Sequence, residues 1–240
     1  KLDKTITVSS SRAEGQKVSH ATRSHVQVLA NSLTASVIIL AIQLLDLERG
    51  YNAGSHPACW DKLYEALVVG IAANYSAVIS DTWSSELGML SEAPPVLVTN
   101  LRVCPPGTNG GVTALGLLSG VAGAFSVSVI STVFLQFVFK DFSISANTAR
   151  VCSVFGLVVV SGLFGTLLDS YMGAVLQLSV VKPGSNKVIE VANGEKVDFS
   201  AKLGNVQRVS GTNVLSNNSV NFLMAAVTST TFTAIYYYCL

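Results

Sequence analysis

Three carboxylates and one glycine-rich stretch are the residues of this chain best suited to chemistry. Asp81 and Glu86 stand five residues apart in Ser80-Asp-Thr-Trp-Ser-Ser-Glu-Leu-Gly88, and Asp169 follows the charge-free run Val151–Leu168. A carboxylate inside a membrane span costs about 2.5–3.5 kcal/mol on insertion scales, so such a residue usually faces a wet cavity and has a function. The plainer alternative for Asp169 is a boundary residue reaching the headgroups. For Asp81 and Glu86 it is an N-cap and a first-turn acid of a short interfacial helix. Taken together, Asp81, Glu86 and Asp169 are expected to form one hard-cation site, with Mg²⁺ as the ion.

The second feature is Pro105-Pro-Gly-Thr-Asn-Gly-Gly111, which leads directly into an apolar run. Glycines expose backbone N–H groups, and a helix N-terminus adds partial positive charge, which is the general design of a phosphate cradle. Gly107, Thr108, Gly110 and Gly111 are the expected phosphate-binding residues. Arg102 is the one Lys or Arg between 81 and 109 and the expected charged partner. No Gly-Lys-Ser/Thr follows, so this is not a Walker A motif; a tight turn without a ligand is the alternative. His20, His25 and His56 lie at no metal-ligand spacing, and Cys59, Cys104, Cys152 and Cys239 form no CxxC pair. Asn74-Tyr-Ser76 and Asn217-Asn-Ser219 match the glycosylation pattern but fall within or beside apolar runs on the wrong side.

The elements that position these residues follow from composition. Of 240 residues, 50% are hydrophobic and 12% charged, and mean hydropathy is +0.51. A soluble domain carries roughly 25% charged residues, so an ordinary soluble globule is excluded. A net charge of +1 supplies no basic excess to hold a nucleic-acid backbone. The chain starts at Lys1, and a preceding segment is expected.

Charge-free runs predict an all-α, polytopic membrane bundle of about five spans, near 26–47, 62–80, 110–138, 150–178 and 219–240. The third and fourth are long enough to tilt or to kink at glycine. Residues 1–25 form an N-terminal segment, and 26–240 a single membrane domain. Threading the spans in order puts 1–25, 81–109 and 179–218 on one side. That side carries 11 of the 15 Lys and Arg, which makes it cytoplasmic by the positive-inside bias. Lys187–Ser200 alternates around Asn193-Gly194 and predicts a small β-hairpin there. The polar residues Gln27, Asn31, Asp81, Glu86, Asn109, Asp169, Asn217, Asn218 and Asn221 all fall at that same end of their spans.

At these motifs the chain resembles a known family. Gln27–Asn31, Ser80–Gly88, Pro105–Thr113, Gly162–Gln177 and Asn217–Asn221, in this order, are similar to the transmembrane protein 19 family of integral-membrane proteins, which includes the plant phytyl-phosphate kinase. The resemblance implies transfer of a phosphoryl group from a nucleoside triphosphate, CTP among the candidates, to an isoprenoid monophosphate. It also fits a membrane of the endoplasmic reticulum or the chloroplast envelope. In the combined reading, Asp81, Glu86 and Asp169 hold Mg²⁺, and the Gly107–Gly111 loop and Arg102 cradle phosphate. Asn109, Asn217, Asn218 and Asn221 orient phosphate or metal-bound water. Such transfer needs mainly positioning and charge neutralisation, so no catalytic His or Cys is required. A transporter or lipid-binding protein without chemistry, and a cytidylyltransferase acting on a lipid phosphate, are the alternatives.

Overall fold

A computed structural model describes residues 25–51, 58–138, 144–181, 184, 188–190 and 206–240. The expected N-terminal segment lies outside these residues, apart from His25. In hydrocarbon each backbone N–H and C=O must find a partner within the chain, and helices satisfy that need segment by segment. Among the described residues these are five helices: α1 (His25–Tyr51), α2 (Ala58–Gly88), α3 (Ala114–Val138), α4 (Ile144–Leu176) and α5 (Asn217–Cys239).

Four of them, α1 to α4, are long and apolar enough to cross a membrane. The expected fifth span is a helix of 23 residues, about 34 Å long. It carries no charge, but nine Ser, Thr and Asn residues dilute its apolar content below that of the others. Its inward stripe is buried through Val220, Met224, Ala225, Thr228, Ser229, Phe232 and Tyr236.

Two other boundaries differ from expectation. α2 runs through to Gly88, so Asp81 and Glu86 sit in its last turns and cap no separate helix. α3 starts at Ala114, because Gly111–Val112 is a strand. The expected glycine kinks are absent from the described helices; the one non-helical residue inside α4 is Asn147, at φ −153° and ψ 77°. Its Oδ1 accepts from Arg150 N at 3.0 Å and caps the helix that follows.

The glycines of α3 and α4 serve close packing instead. A Cβ on Gly162 would lie 2.6 Å from Ser76 Oγ, and one on Gly165 would lie 3.0 Å from Ala77 Cα. Small residues let membrane helices approach, because lipid tails offer no hydrophobic drive for association. Serine hydroxyls add interhelical bonds: Ser76 donates to Val158 O, Ser128 to Phe155 O and Ser229 to Gly70 O, each at 2.7 Å. Such bonds contribute about 0.6 kcal/mol each.

These contacts fix direction. Glu65 meets Arg150 and Asp81 meets Thr166, so α2 and α4 run parallel. Gly116 packs on Ser84 and Gly123 on Ile79, so α3 runs the other way. Tyr236 meets Glu65 and Ser229 meets Gly70, so α5 does too. The ends of α2 and α4 and the starts of α3 and α5 therefore share one end of the bundle. Both segments that carry the strands, 89–113 and 177–216, emerge there.

The first segment holds β1 (Val96–Leu97) paired antiparallel with β2 (Gly111–Val112). The second holds a three-stranded sheet in the order β4 (Val188–Glu190), β3 (Ser179–Val181), β5 (Gln207–Ser210). β4 is the first arm of the expected hairpin, but it pairs with β3, Val180 opposite Ile189. The expected turn at Asn193-Gly194 and the second arm lie outside the described residues.

Candidate functional site

Asp81 on α2 and Asp169 on α4 come together at the end of the bundle that bears the strands. Thr166 donates to Asp81 Oδ1 at 3.4 Å, a long contact. Thr166 lies one turn before Asp169 on the same face of α4. The contact of Thr166 thus sets Asp81 beside the face of α4 that carries Asp169. Asp169 Oδ1 is fully enclosed and has no hydrogen-bond partner among the described residues. Two close carboxylates with an unmet oxygen call for a cation or a proton.

Glu86 does not join them. It is exposed, five residues beyond Asp81, which turns it by about 140° around the helix. Among the described residues no three His, Cys, Asp or Glu side chains are grouped to hold a metal ion. The expected triad is thus a pair. The pair still fits Mg²⁺, which is commonly bound by one or two carboxylates, with phosphate oxygens and water completing the shell.

The glycine-rich loop is not open to a phosphate in the expected way. Thr108 N donates to Pro105 O at 3.2 Å, Gly111 N to Thr108 O at 2.9 Å and Asn109 N to Ser179 Oγ at 3.0 Å. Three of its N–H groups are therefore already bonded within the protein. Thr108 is buried, and its hydroxyl also turns back to Pro105 O at 2.6 Å. Gly107 and Gly110 have φ of +84° and +78°, the left-handed conformation that favours glycine. At Gly110 a Cβ would lie 2.5 Å from Ser170 O and 2.7 Å from Ala174 Cα. The loop closes against α4 one turn beyond Asp169, and its glycines make that approach possible. Leu97, Cys104 and Ala174 form the small buried core beneath it.

Arg102 is exposed on the same segment, its N–H bonded to Asn100 Oδ1 at 3.0 Å. Asn217 is exposed at the start of α5, where Gln177 Nε2 reaches its Oδ1 at 3.5 Å and ties the end of α4 to α5. Asn218 and Asn221 are half-buried on the next turn. Asn221 lies one turn before Ala225 on the inward stripe of α5.

Sequence reasoning missed two groups. Thr166 is one; its signal is a hydroxyl one helical turn before Asp169. The other is at the far end of the bundle, where Arg150 bonds Glu65, and Tyr236 OH lies 2.9 Å from Arg150 Nη2 and 3.0 Å from Glu65 Oε2. These three side chains clasp α2, α4 and α5 together. Lys62 lies 5.8 Å from the ring centroid of the neighbouring Tyr237.

Comparison with known proteins bears on the whole chain. Residues 3–229 match the family model described as "Integral membrane protein DUF92". The Arabidopsis thaliana protein named Protein PGR is 36% identical over 209 residues, covering 86% of this chain and 67% of its own length. An uncharacterized membrane protein of Methanocaldococcus jannaschii is 32% identical over 69% of this chain and 56% of its own length. An uncharacterized membrane protein of Synechocystis is 34% identical over 43% of this chain and 34% of its own length. The chain thus spans about two thirds of the length of the first of these relatives and less of the other two. No solved structure gave a significant match. With four apolar spans and a family match across nearly its whole length, the chain is a multi-pass membrane protein and a member of the DUF92 integral-membrane family.

Proposed function

We propose that the chain is a membrane phosphotransferase that passes a phosphoryl group from a nucleoside triphosphate to an isoprenoid monophosphate. The observation that carries this reading is the Asp81–Asp169 pair, with the enclosed, unpartnered Oδ1 of Asp169, at one end of the bundle. The resemblance to the family that includes phytyl-phosphate kinase supplies the substrate class. A phosphate oxygen of the lipid attacks the terminal phosphorus of the nucleotide. A new P–O bond forms, the bond to the β-phosphate oxygen breaks, and nucleoside diphosphate leaves. Mg²⁺ held by Asp81 and Asp169 would neutralise charge on the nucleotide phosphates. The attacking group is already an anion, so the chain needs no strong base.

The chain's own residues position the partners. Thr166 orients Asp81. Exposed Arg102, with Arg208 of β5 at the same end, offers positive charge to phosphate. Asn218 and Asn221 offer amides from α5. The isoprenoid tail lies along the apolar helices, and the cytoplasmic face is the proposed location of this end. With the N–H groups of Thr108, Asn109 and Gly111 already bonded, the loop packs on Ser170 and Ala174 beside the pair instead of cradling phosphate.

One observation favours a second reading, a transporter. Asn74 and Thr228 are fully buried well inside the bundle, as transport sites are. Incubating the purified full-length protein with labelled nucleotide and a set of isoprenyl monophosphates separates the readings. A phosphotransferase releases nucleoside diphosphate, a cytidylyltransferase releases pyrophosphate, and a transporter yields neither.

A further inference from the structure

The exposed apolar residues in the second half of α4 fall on one line. Val160, Phe164, Leu167, Tyr171 and Val175 recur at steps of three and four, and each is between 38% and 55% exposed. Asp169 does not share that face. Val160 stands nine positions before it, and nine steps of about 100° turn a helix through half a circle. The Asp169 side of α4 packs on α2, through Thr166 to Asp81 and Gly162 against Ser76. The stripe therefore looks outward, to lipid.

Leu178, three residues beyond Val175, lines a cavity of about 370 Å³ with Val180, Val206, Arg208 and the turn 211–213. Small-molecule pockets span about 300–1,000 Å³, so a headgroup fits. Val180 and Arg208 are partners across β3 and β5, and their side chains stand on one face of the sheet. Ser179 turns to the other face, where its Oγ accepts from Asn109 N of the glycine-rich loop. The cavity thus lies away from that loop. The turn 211–213 is fixed to the end of α4: Thr212 N and Oγ1 donate to Val175 O at 2.9 and 2.8 Å, and Val214 N donates to Leu176 O at 3.0 Å. Gly211, at φ +69°, makes this approach possible, because a Cβ there would overlap Gln177 O.

The lining restricts what can enter. Arg208 is its one charged residue, and the rest is apolar or neutral. An apolar stripe that ends at a single guanidinium suits a lipid with a phosphate head. A zwitterionic head would bring an ammonium group as well, and this lining offers it neither a carboxylate nor an aromatic ring. Tyr171, exposed about 7–8 Å before the end of α4, sits where tyrosines mark the membrane boundary. The same end carries most of the Lys and Arg, and the leaflet that such a face meets is rich in anionic lipid. We propose that the cavity at the end of α4 binds an anionic phospholipid, its phosphate on Arg208 and one acyl chain along Val175, Tyr171 and Leu167. The site is distinct from the Asp81–Asp169 pair and needs no nucleotide.

Thermal unfolding of the purified full-length protein in detergent tests this, with dioleoyl phosphatidylglycerol, dioleoyl phosphatidylcholine or glycerol 3-phosphate added. At about ten times its Kd, phosphatidylglycerol raises Tm by roughly 3–6 °C and the rise saturates. Arg208→Gln loses the rise, and Arg208→Lys keeps part of it. Arg102→Gln and Asp169→Asn keep it whole. Spin-labelled analogues of the two lipids, in vesicles bearing the unaltered protein, give a readout independent of whether the variants fold. There phosphatidylglycerol is held about fivefold more tightly than phosphatidylcholine, the preference expected from one basic side chain at the membrane surface. Equal behaviour of the two lipids in both measurements means a non-selective lipid annulus and overturns the proposal. A full rise with glycerol 3-phosphate overturns it by showing a site for free phosphate. A full rise in Arg208→Gln, or its loss in Asp169→Asn, overturns it by moving the lipid elsewhere.

Discussion

Asp81 and Asp169, 88 positions apart in sequence, lie on facing sides of two parallel helices, with Thr166, one turn before Asp169, donating to Asp81 at 3.4 Å. Parallel neighbours in a bundle are separated by a returning helix, and here α3 makes that return. The pairing explains why the two acids occupy the last turns of α2 and α4: only at that end do both meet the segments that leave the membrane.

Asp81→Asn and Asp169→Asn should each lower turnover by about 10²–10³-fold, the cost of losing a charge-stabilising group in well-studied sites. Glu86→Gln should stay within about threefold, because Glu86 is exposed and turned away from the pair. Initial rates with isoprenyl monophosphate at equal expression measure this. A loss in Glu86→Gln as deep as in Asp169→Asn would restore the three-acid site.

Gly110 should behave as a packing residue. Gly110→Ala inserts a Cβ against Ser170 O and Ala174 at a backbone angle of +78°. The expected cost is about 1–3 kcal/mol of stability, from overpacking together with strain. Detergent-solubilised Tm should fall and activity per folded molecule should hold. A variant with normal Tm and no activity would return the loop to phosphate binding.

The far-end clasp should matter for stability more than for chemistry. Arg150→Met leaves Glu65 without its partner between helices and should cost about 3 kcal/mol. Tyr236→Phe removes one hydroxyl and should cost about 1 kcal/mol. The exchange Glu65→Arg with Arg150→Glu should recover part of the loss. Thermal unfolding decides, and three variants as stable as the parent would show that the clasp holds nothing.

Topology gives a further check. Cysteines introduced at Pro95 and Glu190 should react with a membrane-impermeant maleimide from the same face, since both lie in segments at the carboxylate end. Labelling from opposite faces would break the helix directions described above.

Much of the fold was legible because charge is scarce. The runs that predict spans near 26–47 and 150–178 correspond to α1 and α4, and the shared end of the polar residues follows from counting spans. What escaped reading was geometry across helices. Nothing in the spacing of Asp81 and Glu86 says whether the helix stops between them; it continues, and the turn of about 140° separates them. Glycine content likewise does not distinguish a phosphate loop from a close approach, and only the partners of Thr108, Asn109 and Gly111 N–H decide it. The Glu65–Arg150–Tyr236 clasp was hidden because its members come from three separate helices. Strand β4 was visible in Val188–Glu190, but its pairing with β3 was not, because a local turn signal says nothing about a distant partner.

The role proposed for the Asp81–Asp169 pair is phosphoryl transfer to a lipid phosphate. Its most direct measurement is product analysis on the purified full-length protein, with terminally labelled nucleoside triphosphate, isoprenyl monophosphate and Mg²⁺. Label is expected in isoprenyl diphosphate with release of nucleoside diphosphate, both abolished by a chelator and reduced by about 10²–10³-fold in Asp169→Asn. Unlabelled lipid, with the nucleotide left intact across donors and isoprenoid lengths, would contradict it, as would full transfer by Asp169→Asn.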